Sequence, residues 1–228
     1  MTKYFMANTP QAELERQMMT PPGFTTRCSG QTTSSRFKYK PEDVACQYCT
    51  ECRHRKCTAP VCLYVPERLE AGAITYQELV RIFFFGMNHA ALARRIDALT
   101  SRHSFGYRDS AHQYRLEGCL HGELARPSRC QLAALYLLTA KSDLWRRTAS
   151  AIRAGQIDYS EVRQKDFDIQ SYALYRTAKG ISDMQIILAP DALADPTLIG
   201  DDILWLIINA ALIARYGKDV FSIESKEV

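Results

Sequence analysis

Residues 201–217 read DDILWLIINAALIARYG. Asp201 or Asp202 can cap a helix there, Gly217 can close it, and the span from Ile203 to Tyr216 has the length of an ordinary globular helix. Its surface is apolar on nearly every side. Such a helix must be covered all round, so the sequence predicts a mainly α protein, a multi-helix bundle with this helix at its centre. The run from Ile203 to Ala214 is interrupted by Asn209 and is too short for the roughly 20 residues a membrane span needs.

The covering helices lie upstream. Thr75-x-x-Glu78 is a capping-box signature ahead of Leu79, Val80 and Ile82 to Phe85, and three consecutive phenylalanines imply a helix covered on several sides. Asn88 can cap a second helix carrying Leu92, Ile96 and Leu99 on one face and Arg94 and Arg95 on the other. With the turn at Gly86 between them, this pair has a helix-turn-helix outline, although ordinary helix hairpins share it and are commoner. Residues 109–122 predict another helix, and Ser128-x-x-Gln131 caps the next, with Leu132, Leu135, Tyr136 and Leu138 as its core stripe. Ser142 or Asp143 opens a further helix with Leu144, Trp145, Thr148 and Ile152 inward, closed by Gly155. After a polar connection from Tyr159 to Asp168, Ile169, Tyr172, Ala173 and Tyr175 mark a helix closed by Gly180. Ile186 to Leu188 reads as a strand fragment or buried turn, and Ala194-Asp195-Pro196 breaks the chain before the last helix.

Cysteine is concentrated in one place. Cys46, Cys49, Cys52, Cys57 and Cys62 fall within residues 46–62, whereas Cys28, Cys119 and Cys130 stand singly. A Cys-x2-Cys pair (Cys46, Cys49) followed by a Cys-x4-Cys pair (Cys57, Cys62) can supply four thiolates to one tetrahedral Zn2+, whose Zn–S bonds of about 2.3 Å leave little slack. The loop between the pairs is short and loses little entropy on closure. Cys52 is read as a non-ligand, since leaving it out keeps two well-separated pairs. The alternatives are an iron–sulfur run through Cys46, Cys49, Cys52 and Cys57, His54 in place of one cysteine, and disulfides or free thiols. The iron–sulfur run normally ends in Cys-Pro, and here Thr58 follows Cys57.

Between the pairs, Arg53-His54-Arg55-Lys56 forms a basic tip that a stapled backbone would hold outward, suited to phosphate contact or simply exposed to water. Residues 24–40 are rich in Ser, Thr and Gly and carry four Lys/Arg without an acid, which reads as a flexible basic linker. Phe37 and Tyr39 alternate there with Arg36, Lys38 and Lys40, so Lys38 and Lys40 are candidate helpers in nucleic-acid binding beside Arg53, Arg55 and Lys56. Residues 10–19 predict a short helix with Leu14, Met18 and Met19 as its apolar stripe. The expected organisation is an N-terminal helix and linker (1–40), a zinc knuckle (41–66) and a helical domain (67–228) whose own core lets it fold without the knuckle.

At 228 residues, 46% hydrophobic and 24% charged, the chain suits one sizeable core with a small appendage. The net charge of +4 is mild, and residues 1–76 hold most of it, with ten Lys/Arg against seven Asp/Glu. That permits nucleic-acid contact without demanding it. The first 24 residues lack the apolar stretch of an export signal, so a reducing cytoplasm is expected, where clustered cysteines favour metal over disulfide. There is no Gly-rich phosphate loop, no His-Glu-x-x-His and no Gly-x-Ser-x-Gly, so neither an enzyme nor a small-molecule substrate is expected.

AELERQMMTPPGFTTR (12–27), the knuckle of Cys46, Cys49, Cys57 and Cys62, and AALYLLTAKSDLW (133–145), YALYRTAKG (172–180), LADPTLIGDD (193–202) and NAALIARYG (209–217) together resemble a family of Cys-rich accessory proteins of no assigned activity, carried on conjugative elements and prophages of Gram-positive bacteria. The resemblance implies a mobile-element context, a bacterial cytoplasm, and two cysteine pairs with basic residues between them, from which Cys52 departs. Two functions follow as expectations: a nucleic-acid-binding or regulatory accessory protein, or a protein-binding module, for instance an inhibitor of a host defence or transfer component, with zinc only holding the fold.

Overall fold

The computed structural model describes residues 9–19, 39–49, 51–53, 56–57, 59–121, 127–153, 156–165, 167–185 and 188–223. The protein is mainly helical. The chain divides into two compact units, Met1–Phe37 and Lys38–Val228. In the first unit α1 (Ala12–Met19) starts where Thr9 turns the chain, its carbonyl accepting from the Ala12 N–H at 3.1 Å. Leu14 on this helix is exposed.

The second unit contains α2 (Val65–Glu70), α3 (Tyr76–Phe83), α4 (Ala90–Thr100), α5 (Ser110–His121), α6 (Arg129–Thr139), α7 (Ser142–Thr148), α8 (Ile169–Ser182), α9 (Pro190–Ala194) and α10 (Asp201–Tyr216). Two small antiparallel hairpins accompany them: β1 (Cys52–Arg53) with β2 (Lys56–Cys57), and β3 (Ile152–Arg153) with β4 (Gln156–Ile157). α6 packs against both α8 and α10, and α10 against α8, so these three helices make the centre of the core. Every residue of α6 from Leu132 to Thr139 is buried, as are nine residues of α10 from Ile203 to Ile213. The central position predicted for residues 203–216 follows from that apolar surface.

Inside this core lies a polar knot. The Asn209 side chain accepts from the Tyr76 hydroxyl at 2.8 Å and donates to the Gly106 carbonyl and the Tyr136 hydroxyl. Tyr136 in turn donates to Gly106, so each buried group has a partner and the knot fixes α3, α6 and α10 around one loop.

Local signals placed some elements and misplaced others. Ser128 and Gln131 form the complete reciprocal capping box predicted for α6. Thr75 caps α3 through the Glu78 N–H, but the Glu78 carboxylate turns away to Arg68. α4 is capped by His89, not by Asn88: Nδ1 accepts from the Leu92 N–H because Nε2 is engaged by Asp191 at 2.9 Å. α7 has Lys141 at its cap position with no side-chain bond to the helix end, and α10 has Gly200, not Asp201 or Asp202. Gly180, expected to close α8, is buried within it, and the turn follows at Met184, whose φ is 53°. Ile169 and Tyr172 are exposed while Leu174, Tyr175 and Ala178 face the core. α3 ends at Phe83, and Phe85 is 60% exposed, so the phenylalanine run is not covered on all sides.

Arg95 also departs from expectation. Its side chain is only 10% exposed, bonded to Asp201 and to the Leu193 and Ile199 carbonyls, so it ties α4 to the segment leading into α10. Arg94 stays exposed. The boundary expected at 66/67 falls inside α2, whose Val65 and Leu69 are both buried in the common core. Gly155, Ile186 and Ile187 lie outside the described residues.

Candidate metal centre

The turn demanded by Cys46-x2-Cys49 is present. Cys46–Tyr48 is one turn of 3-10 helix, and the Cys49 N–H donates to the Cys46 carbonyl at 3.1 Å. Before it, Asp43 closes a turn on Lys40, accepting from the Lys40 N–H at 2.8 Å. After it, β1 and β2 pair with Cys52 opposite Cys57 and Arg53 opposite Lys56. Pro60 and Val61 lead to Cys62, which stands just ahead of α2 and packs partly against the core.

These elements bring the four predicted ligands to one place. Cys46, Cys49, Cys57 and Cys62 all line a single cavity of about 320 Å³, together with Tyr39, Tyr64, Glu67 and Arg68. All four are free thiols, Cys46 and Cys57 exposed and Cys49 and Cys62 half-buried. Among the described residues, no group of three or more His, Cys, Asp or Glu stands in ligand geometry around one point. The sulfurs therefore share a cavity wall without being closed to bonding distance of one ion.

Two residues that cysteine spacing does not point to shape the electrostatics here. Arg68 on α2 donates through Nη1 to the Cys62 sulfur at 3.9 Å and to Glu78 Oε1 at 2.6 Å, and through Nη2 to Glu78 Oε2 at 3.0 Å and the Ala73 carbonyl at 2.9 Å. The bond to Glu78, helped by the Cys62 contact, raises its pKa above the ordinary arginine value despite burial, so the charge beside the cysteines is permanent. Glu67 Oε2 is buried with no hydrogen-bond partner. An unpaired buried carboxylate oxygen beside four thiols makes a donor set of one sign, which suits a cation. Pro66 in the first turn of α2 announces a helix directly after Cys62, and that is the signal by which both residues could have been found.

The candidate nucleic-acid residues are described in part. The backbones of Arg53 and Lys56 are paired in the β1–β2 register, and Lys40 is exposed in the turn before Cys46. Lys38, His54 and Arg55 lie outside the described residues.

Other titratable groups are engaged structurally. In a cleft lined by Arg146, Arg147, Phe167 and Asp168, Arg146 pairs with Asp143, Asp168 with Lys141, and Arg147 lies 5.7 Å above the Phe167 ring. Cys119 is half-buried, and burial pushes its thiol pKa up, the opposite of an activated nucleophile. No helix among the described residues is long and apolar enough to cross a membrane. Compared with family models, curated proteins and solved structures, the chain matches none of them.

Proposed function

We propose that Cys46, Cys49, Cys57 and Cys62 hold one structural Zn2+, and that the protein is a non-catalytic accessory protein of a mobile genetic element, a helical bundle whose zinc knuckle presents a basic tip to DNA or RNA in the bacterial cytoplasm. One observation carries the reading: the four cysteines singled out by spacing line one cavity as free thiols, beside the Arg68 guanidinium. Zn2+ would bind the four sulfurs and cross-link the turn, the hairpin and the start of α2. Binding draws the four sulfurs together, as expected where metal affinity is also folding energy.

Metal analysis of the untagged protein is expected to give about one zinc per chain, since one four-thiolate shell holds one ion. Cys57→Ser should lower that content and Cys52→Ser should leave it unchanged. Bound iron with a visible charge-transfer band would overturn the zinc assignment.

Nucleic-acid binding is proposed to centre on Arg53, Arg55 and Lys56, with Lys38 and Lys40 assisting, because charges on a stapled backbone lose less entropy on binding. Titration of wild type and an Arg53/Arg55/Lys56→Ala variant against duplex and single-stranded DNA at several salt concentrations tests this. The variant is expected to bind more weakly, with a log–log salt slope flatter by about three at most. Equal affinity and slope would remove the knuckle from the binding surface. Leu63, 67% exposed, and Tyr64, 42% exposed, follow Cys62 directly and favour a second reading, a protein partner docked beside the zinc. Absence of DNA binding by wild type at low salt would support that reading over the first.

A further inference from the structure

Resting on the zinc reading, we infer that Arg68 is a positioning residue that couples the metal centre to the helical core, so that metal occupancy and core stability are linked through one side chain. The geometry is a relay of fixed parts. Thr75 caps α3 by accepting from the Glu78 N–H, which anchors Glu78 at its backbone. The Glu78 carboxylate grips Arg68 with both oxygens, at 2.6 and 3.0 Å. The Ala73 carbonyl takes a further N–H of the guanidinium at 2.9 Å, leaving Nη1 held against the Cys62 sulfur. Arg68 is 12% exposed at its side chain, and its helix is seated by buried Val65 and Leu69. The fork is therefore oriented by the core and aimed at a predicted ligand.

The chemistry gives that contact a purpose. Four thiolates around Zn2+ leave a net charge of about −2, and an N–H donated to a ligating sulfur offsets it while holding the ligand in place. A planar fork holds a sulfur, both oxygens of a carboxylate and a carbonyl in one fixed arrangement; a lysine ammonium has three donors on a flexible stem and no such geometry. The relay also runs in the other direction. Fixing Cys62 fixes the start of α2, and with it the Arg68–Glu78 bond that joins α2 to α3. A surface ion pair with no role at the metal would stabilise the fold alike with and without zinc.

The test compares full-length wild type, Arg68→Met, Arg68→Lys and Glu78→Gln by competition for zinc against a chromophoric chelator, with the thiolate–Co2+ charge-transfer spectrum as a second readout. Arg68→Met is expected to bind zinc about 10- to 100-fold more weakly, as loss of an outer hydrogen-bond partner of a ligand does. Arg68→Lys should recover little of this, and Glu78→Gln should lose affinity in the same direction but less. A separate measurement on wild type needs no variant to fold. The only two tryptophans, Trp145 and Trp205, lie on α7 and α10, so tryptophan fluorescence reports melting of the helical core. Zinc is expected to raise that melting temperature. Wild type that binds zinc while Arg68→Met binds it equally, or that binds zinc with no change in core melting, overturns the inference and leaves the zinc reading standing. Wild type that binds no zinc overturns both.

Discussion

Asn209→Ala is expected to destabilise the protein by about 3–5 kcal/mol, the sum of a buried cavity and a stranded hydroxyl. Asn209 is fully buried in α10, and its amide serves Tyr76, Gly106 and Tyr136 together. Burial pushes the Tyr76 phenol well above its ordinary pKa, so it remains a donor and needs an acceptor. With alanine at 209 that acceptor is lost at a residue only 5% exposed. Asn209→Leu restores volume but not the acceptor, so a smaller loss of about 2–3 kcal/mol is expected. Adding Tyr76→Phe to Asn209→Leu should return part of it, because removing both partners of a buried bond is milder than removing one. Urea unfolding of wild type, Asn209→Leu, Tyr76→Phe and the double variant measures the cycle, with Asn209→Ala measured beside them. An Asn209→Ala loss below about 1 kcal/mol would show that the knot is not what holds α3, α6 and α10 together.

Asn209 also illustrates where the sequence stops being legible. Locally it is a break in an apolar run, whereas its partners lie 73 to 133 residues away. The features legible in advance are those whose physics is local. Ser128 and Gln131 satisfy each other within one turn, and Gly217 closes α10 at φ 79°, a conformation that favours glycine. Where a distant group competes, the local reading fails. His89 can cap α4 because Asp191, 102 residues on, holds its other nitrogen. Asp201 has the chemistry of a cap, but Arg95 claims it, and the same bonds withdraw Arg95 from the exposed face predicted for it.

The candidate metal centre divides in the same way. Cys-x2-Cys requires a tight turn, which the chain between Cys46 and Cys49 supplies, and the spacing to Cys57 and Cys62 brings both to the same cavity. Arg68 and Glu67 are not legible from spacing, since their significance depends on how α2 sits beside Cys62. The knuckle and the helices also share more than the sequence suggests. Val65 and Leu69 belong to the core, and Arg68 reaches from it to Cys62. A chain begun at Glu67 would lose Val65 from that core, so an N-terminal trim that keeps residues from 63 onward is the better test of whether the helices fold alone.

Wild-type stability is expected to fall by about 2 kcal/mol between pH 7 and pH 5, and the group responsible is His112. It lies on α5, fully buried, with the Arg108 N–H donating to Nδ1 at 3.1 Å. Nε2 therefore carries the proton and donates it to the Tyr136 carbonyl at 2.8 Å. Both ring nitrogens are satisfied only in the neutral form. Protonation would set an N–H at Nδ1 against the N–H of Arg108. Burial is the main cause that lowers the pKa to about 4, opposed by the bond to the Tyr136 carbonyl and by Asp109, while Arg115 and Arg108 act with it. In the unfolded chain a histidine titrates near 6.5, so between about pH 4 and pH 6.5 the unfolded state binds the extra proton. The stabilisation is thus complete above pH 6.5 and is lost as pH falls towards 4, about 3 kcal/mol in all. Asp168, held below the usual carboxylate range because bonds from Ser171 and Lys141 outweigh its partial burial, adds its own loss only at lower pH. Urea unfolding at pH 7.5, 6.5, 5.5 and 4.5, with excess chelator so that proton-linked metal release is not counted, separates these windows. His112→Gln should be less stable at neutral pH yet nearly flat from 7.5 to 5. A variant whose stability declined in parallel with wild type over that range would show that some other group titrates there.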